Sequence, residues 1–355
     1  SIGEPVGFDE SSAGKIVLDE TDWWLARLID GGVLTDGMDA VQDTHEGIRE
    51  GLTARNMRAS DKLTEYDGKI KPHGDDLDPR RKADAVMSCS RLEAAAKCPF
   101  AFFVANVLGV RKPDEVEKDA GAWLDAASRG KLLHEVFQLF INKTIESKTK
   151  PAFAEEMQAI EEILEGTIAK HKALLPPPSD IVFRSECLQL KRDVGVFLQI
   201  NRELGTEPVG TEVSFGDKKE NIVTIPLGDD KHISLRGRID RIDKTAPSKY
   251  FVWDYKTGGT YSYDENGYIS GGEQIQHALY AVAAEVILKK SGKDNDPKVI
   301  AAGYIFPTEK GTKDGQGGIF PRPADDKDRW RDALNKLLDI IARGTFIVNN
   351  EDVCK

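Results

Sequence analysis

The sequence predicts an α/β fold, a central mixed β-sheet flanked by helices, with helical additions. Three observations carry this. Apolar residues recur at three- and four-residue spacing through most of 88–204. The period drops to two across 211–258, where alternating runs are separated by turn residues. Beyond the Gly-rich stretch GGTYSYDENGYISGG at 258–272, a helix, a strand and a helix follow one another.

The first elements are less regular. TDWWLARLID and GMDAVQDTHEGIREGLTARNM read as helical pieces within residues 1–60, and 61–86 reads as an extended polar linker. From Ser88 the pattern sharpens. Leu92, Ala95, Ala96, Phe100, Phe103 and Val107 are helically spaced. Ser90 is a candidate N-cap with Glu93 three residues on, a capping box. Pro99 should kink or restart that helix. Further helices are predicted over 121–143, 152–174 and 183–204, with PPPSD as a stop before the last. Consecutive strands are predicted at 211–215, 221–228, 232–243 and 250–258. The helix EQIQHALYAVAAEVILKK, a strand at 298–307, a flexible GTKDGQGG loop and a Gly-stopped helix over 325–344 complete the order.

Composition sets limits. At about 150 residues per domain, 355 residues make two or three domains, or one large one with insertions. A hydrophobic share of 40% with 31% charged residues is that of a globular protein with a real core. No run of 18 uncharged apolar residues occurs, so no membrane-spanning helix is expected. SIGEPVGFDE is not a secretory signal. The net charge of −11 argues against a surface that binds nucleic acid throughout, but leaves room for a local basic groove. Four widely spaced cysteines do not make a small disulfide framework and read as reduced cytosolic thiols.

The chemistry concentrates in VWDYKTG at 252–258. Alternate residues of a strand share a face, so Asp254 and Lys256 point one way and Phe251, Trp253 and Tyr255 the other. Arg236, Arg238 and Asp240 share a face of the preceding strand, and a turn near 246–247 sets Asp240 almost across from Asp254. Two carboxylates that close raise each other's proton affinity unless a cation lies between them. Oxygen ligands of this kind suit Mg²⁺ or Mn²⁺, and the ammonium beside them could orient a water or help deprotonate it. Alone, an Asp–x–Lys is equally a structural ion pair on a hairpin.

The motif has company. GKLLHE, GRIDRID, DYKTG and QIQHALY, in that order, together with SRLEAAAKCPFAFF, resemble the PD-(D/E)xK nucleases, in particular the RecB-like branch that includes the C-terminal nuclease domains of AddB-type helicase–nuclease subunits. The resemblance covers roughly 84–355 and implies a restriction-endonuclease-like core. It implies that His134, Asp240 and Asp254 bind the metal, with Tyr255 adding its carbonyl, and that Lys256 is catalytic together with Asp240 and Asp254. Gln276, Tyr280 and Arg238 would line the site and contact DNA; Arg236, Arg241 and Lys131 are further candidates for a positive groove. Glu212 matches an acidic position at the start of the strand series, where a solvated strand end is the other reading. Members of this branch can hold a [4Fe–4S] cluster. Cys98 and Cys354 match two of its ligands, Cys89 and Cys187 none, so no intact cluster is expected in this polypeptide, though a longer parent chain could carry one.

On the same resemblance, residues 1–80 are the tail of a preceding helicase-like region and 81–355 the nuclease domain. The function implied is a metal-dependent DNA nuclease of the bacterial cytoplasm. It would be an exonuclease on single-stranded DNA that works with a helicase subunit or domain in double-strand-break repair, without a membrane. No P-loop occurs, so the motor would lie elsewhere. A catalytically inactive DNA-binding or scaffold module and a stand-alone RecB-like exonuclease are the alternatives.

Overall fold

Residues 37–72, 76–82, 84–111, 119–147, 152–228, 231–261, 263, 268–312, 318–324 and 327–348 are described by a computed structural model. The helix expected at TDWWLARLID, most of the GTKDGQGG loop and Cys354 lie outside these residues. Two compact units divide at Ile70/Lys71. The first contains α1 (Gly37–Thr44) and α2 (Glu46–Arg58). A single 3-10 turn, Glu65–Asp67, follows where the sequence suggested an unbroken linker. Its Asp67 carboxylate accepts from both the backbone N–H and the hydroxyl of Thr64 at 2.8 Å, which satisfies donors that a helix start would leave open.

In the second unit the stretch before the sheet is held in place: Arg80 donates to Asp78 at 2.8 Å and to Asp339 at 2.8 Å. A short strand, β1 (Val86–Ser88), leads into α3 (Cys89–Lys97). The N-cap is Ser88, whose hydroxyl accepts from Arg91 N–H, so the capping box expected from Ser90 and Glu93 does not form. Pro99 does restart the helix. Cys98 ends α3 and caps α4 (Pro99–Phe102), with Pro at the first helical position where its missing N–H costs nothing.

Three long helices follow: α5 (Ala126–Ser147), α6 (Phe153–Leu174) and α7 (Asp180–Leu204). Asp125 opens α5 by accepting from Ser128 N–H at 2.6 Å. The stripe Leu132, Leu133, Val136, Phe137, Phe140 and Ile141 is buried, which leaves Lys131, His134 and Gln138 off the apolar face.

The sheet is organised around one strand. β4 (Lys231–Ala246) has 16 residues and is long enough to take partners at both ends. Its first part pairs with β1 (parallel) and β3 (Val223–Gly228, antiparallel); its second part pairs with β2 (Glu207–Phe215) and β5 (Lys249–Tyr255), both antiparallel. The predicted succession of strands is therefore not a simple meander, because β2 and β3 both pair with β4. After α8 (Gln276–Lys290), β6 (Lys298–Ile305) joins β5 in parallel, and β7 (Ile319–Pro323), unseen in the sequence pattern, pairs antiparallel with β6. α9 (Lys327–Ala342) closes the order.

Helices cover both faces, as an α/β sheet requires. Trp253, Tyr255 and Ile305 enter one apolar cluster with α5, α6 and α7. On the other side α8 packs against β3, β4, β5 and β6, and α9 against α3. Each large apolar side chain fully buried here contributes about 1.5–3 kcal/mol.

Candidate metal centre beside a lysine

The β4–β5 register pairs Arg241 with Trp253; one step further sets Asp240 against Asp254. That is the juxtaposition the hairpin predicts. Both carboxylates are buried, at 8% and 6% exposure. Tyr255 ends β5, and its backbone N–H donates to Asp240 Oδ2 at 2.7 Å, locking the carboxylate in place. Its ring stands edge-on to His134, 5.8 Å between centroids.

From α5, His134 Nδ1 lies 3.7 Å from Asp240 Oδ2 and 3.6 Å from Glu212 Oε1. Glu212 stands opposite Asp240 in the β2–β4 ladder and adopts φ +47, a region L-residues rarely use and one that clusters at functional sites. One donor atom from each of His134, Glu212 and Asp240 falls within 4.8 Å of the others. Glu212, which the sequence left between a supporting role and a solvated strand end, is thus part of the donor group. Burial, and then the charge of Asp254, push the Asp240 carboxyl up to about 7. Burial opposes the charged form of His134, but the Glu212 hydrogen bond and the charges of Asp240 and Asp254 outweigh it and hold the imidazole above its ordinary range.

Asp254 is turned the other way. Gln276, the first residue of α8, donates its amide to Asp254 Oδ1 at 2.6 Å. Lys256 Nζ lies 2.6 Å from Asp254 Oδ2 and donates to Gln276 Oε1 at 3.3 Å. Despite that ion pair, Asp254 Oδ2 accepts no aligned hydrogen bond. Burial disfavours the Lys256 ammonium, but Asp254 above all outweighs it and leaves the pKa raised. Lys256 therefore stays protonated beside the carboxylates.

Three oxygen and nitrogen donors lying within 4.8 Å of one another fit a divalent cation better than they fit each other. His134, Glu212 and Asp240 would hold it, with Asp254 adjacent.

The remaining predicted residues fall as follows. Arg238 is exposed and ion-pairs Glu212 at 3.3 Å. Arg238, Lys131, Gly130, Thr257, His134 and Glu212 line a groove of about 630 Å³ that opens onto the donor group. Tyr280 does not line the groove; it is buried, its ring 5.8 Å from Phe215 and its hydroxyl against Gly237. Arg241 does not reach the groove. It is 1% exposed on the opposite face of β4, donating to Asp243 at 2.6 Å and Asn201 at 2.7 Å. Cys98 is buried and disulfide-bonded, not the reduced thiol expected from the sequence, and its Sγ accepts from Ala101 N–H at 3.4 Å.

One residue at the site was read wrongly from the sequence. Glu93 accepts from Gln276 N–H at 3.0 Å, and burial pushes its carboxyl up to about 7. A signal existed: Glu93 sits four residues after buried Cys89, on the rim of the apolar stripe Cys89, Leu92 and Ala95.

A mixed sheet whose central hairpin delivers two carboxylates and an amine to one end, faced by a helical imidazole, defines an α/β protein with a cation site beside a lysine. The match to the PD-(D/E)XK nuclease superfamily runs over residues 86–355, and the chain belongs to that superfamily. It is similar to proteins named as the B subunit of an ATP-dependent helicase/deoxyribonuclease. The similarity is 29% identity over 62% of this chain and 19% of the protein from Clostridium acetobutylicum. It is 30% over 62% and 19% for Acetivibrio thermocellus, and 28% over 79% and 23% for Natranaerobius thermophilus. The chain thus spans about a fifth of the length of these relatives. Among the described residues no helix is long and apolar enough to cross a membrane.

Proposed function

We propose that this chain is a metal-dependent deoxyribonuclease domain that hydrolyses phosphodiesters of single-stranded DNA from an end, within a longer helicase–nuclease of the bacterial cytoplasm that acts in double-strand-break repair. The observation that supports it most is the convergence of His134, Glu212 and Asp240 beside the Asp254–Lys256 pair. Mg²⁺ or Mn²⁺ held by these three, with Asp254 and the Tyr255 carbonyl at hand, would supply an acidified water and charge stabilisation at phosphorus. The chain's own residues do the rest. Lys256 donates from its ammonium to the attacking water or to a non-bridging oxygen, and offsets the charge that develops during in-line displacement. Gln276 fixes both Lys256 and Asp254 through one amide. Lys131 and Arg238, exposed along the groove, offer cations to the phosphates on either side. The relatives' printed name, with its helicase and its deoxyribonuclease, favours DNA as substrate and a helicase subunit or domain as partner.

End-labelled single-stranded DNA incubated with Mg²⁺ or Mn²⁺ tests this, with Lys256→Ala and a chelated sample beside the unaltered chain. Progressive shortening that disappears in both controls is expected. Binding without cleavage by the unaltered chain under every divalent metal would leave a DNA-binding module and sink the enzyme reading.

A further inference from the structure

α8 begins at Gln276, and nothing at its own N-cap closes it: Ile275 offers no side-chain acceptor. The first N–H groups of a helix need acceptors, more so where they are buried. Here the acceptor comes from another element. Glu93 Oε1, on α3, lies 3.0 Å from Gln276 N, 183 positions away in sequence. Glu93 also faces Ile275 N–H and stands within electrostatic reach of Lys256 and Asp254. α3 is brought there by close packing: a Cβ on Gly272, just before α8, would lie 3.2 Å from Ala96 Cβ.

The consequence is specific because of what Gln276 does with its side chain. The residue whose backbone Glu93 holds is the residue whose amide spans Asp254 (2.6 Å) and Lys256 (3.3 Å). A rotation of the first turn of α8 would therefore move the amide off both groups at once. A structural cap could have been supplied locally by Ser, Thr or Asp at 275. A carboxylate from α3 instead ties the start of α8 to the strand end that carries Asp254 and Lys256.

We propose that Glu93 is a positioning residue: from α3 it caps α8 through Gln276 N–H and so sets the Gln276 amide that aligns Lys256 and Asp254. This rests on the nuclease reading for its kinetic test but has a second readout independent of it. Glu93→Gln keeps an acceptor oxygen, whereas Glu93→Ala removes it. Leaving a buried helix-start N–H without its acceptor corresponds to roughly tenfold. Cleavage of single-stranded DNA under Mn²⁺ should fall about tenfold in kcat for Glu93→Ala with KM within about twofold, and recover to within about threefold for Glu93→Gln. In a Gln276→Ala background the Glu93→Ala penalty should vanish, since one route carries both effects. Hydrogen exchange in the metal-free protein should show faster exchange of the Gln276 amide in Glu93→Ala and not in Glu93→Gln. Full additivity of the two alanine substitutions, or an unchanged Gln276 amide, overturns the inference. An unaltered chain that fails to cut DNA while the Gln276 amide still responds to Glu93→Ala would overturn the nuclease reading alone.

Discussion

Arg241 is the sharpest place to separate the groove from the core. The sequence put it among the cations that could follow a DNA strand; the structure buries it, 1% exposed, against an Asp243 that is fully buried. Its Nε donates to Asp243 Oδ1 at 2.6 Å and its Nη1 to Asn201 at 2.7 Å, and Thr206 donates to the other Asp243 oxygen at 2.5 Å. Arg241→Met keeps the length and removes the charge. Asp243 would then be a buried carboxylate with only a hydroxyl for company, and Asn201 would lose its donor. Removing one partner of a buried ion pair costs about 3–5 kcal/mol. With both groups essentially dry, no discount for solvent applies. Total stabilities run to about 5–15 kcal/mol, so the loss is a large fraction. Guanidinium unfolding followed by tryptophan fluorescence measures it, Trp253 being the cross-strand neighbour of Arg241. The same variant should leave the salt dependence of DNA binding unchanged, whereas Arg238→Ala should lower that slope by about one. A stability change under about 1 kcal/mol, or a slope that falls with Arg241→Met, would refute the assignment of Arg241 to the core.

Four further outcomes follow from the site and its supports. Lys256→Ala should lower the rate of DNA cleavage by about 10²–10³-fold, the usual cost of one preorganised donor; a loss under about tenfold would remove Lys256 from the chemistry. Because burial and Asp254 push Asp240 up to about 7, a cation must displace its proton, so Mn²⁺ affinity by calorimetry should fall as pH drops from about 8 to about 6. In the metal-free protein the same raised pKa means stability is lost as pH rises from the ordinary carboxylate range through about 7, since the folded state holds the proton more tightly. Flat affinity across that window would contradict the role of Asp240. Gly303→Ala puts a Cβ 2.0 Å from the Phe320 carbonyl oxygen between β6 and β7, and should cost at least about 3 kcal/mol by chemical denaturation.

The residues that were legible in the sequence are those whose relation is local. Asp254 and Lys256 share a face because a strand alternates, and Asp240 meets Asp254 because a short turn dictates the register of a hairpin. Long apolar stripes made α5, α6 and α7 visible for the same reason, their periodicity being contained within each helix. β7 escaped because IFPRP is five residues with two prolines, a weak strand signal that only the free edge of β6 makes into a strand.

What the sequence determined by itself, then, is the alternation of elements and the pairing of carboxylates and amine on one hairpin, since backbone period and turn length act over a few residues. What only the tertiary structure decided is which distant groups complete that hairpin. Glu212 enters through a strained strand residue and Glu93 through α3, while Arg241 is taken away to the core. Those outcomes depend on how layers pack across a sheet, where distances of a few ångströms link residues far apart in the chain, and no local period carries that information.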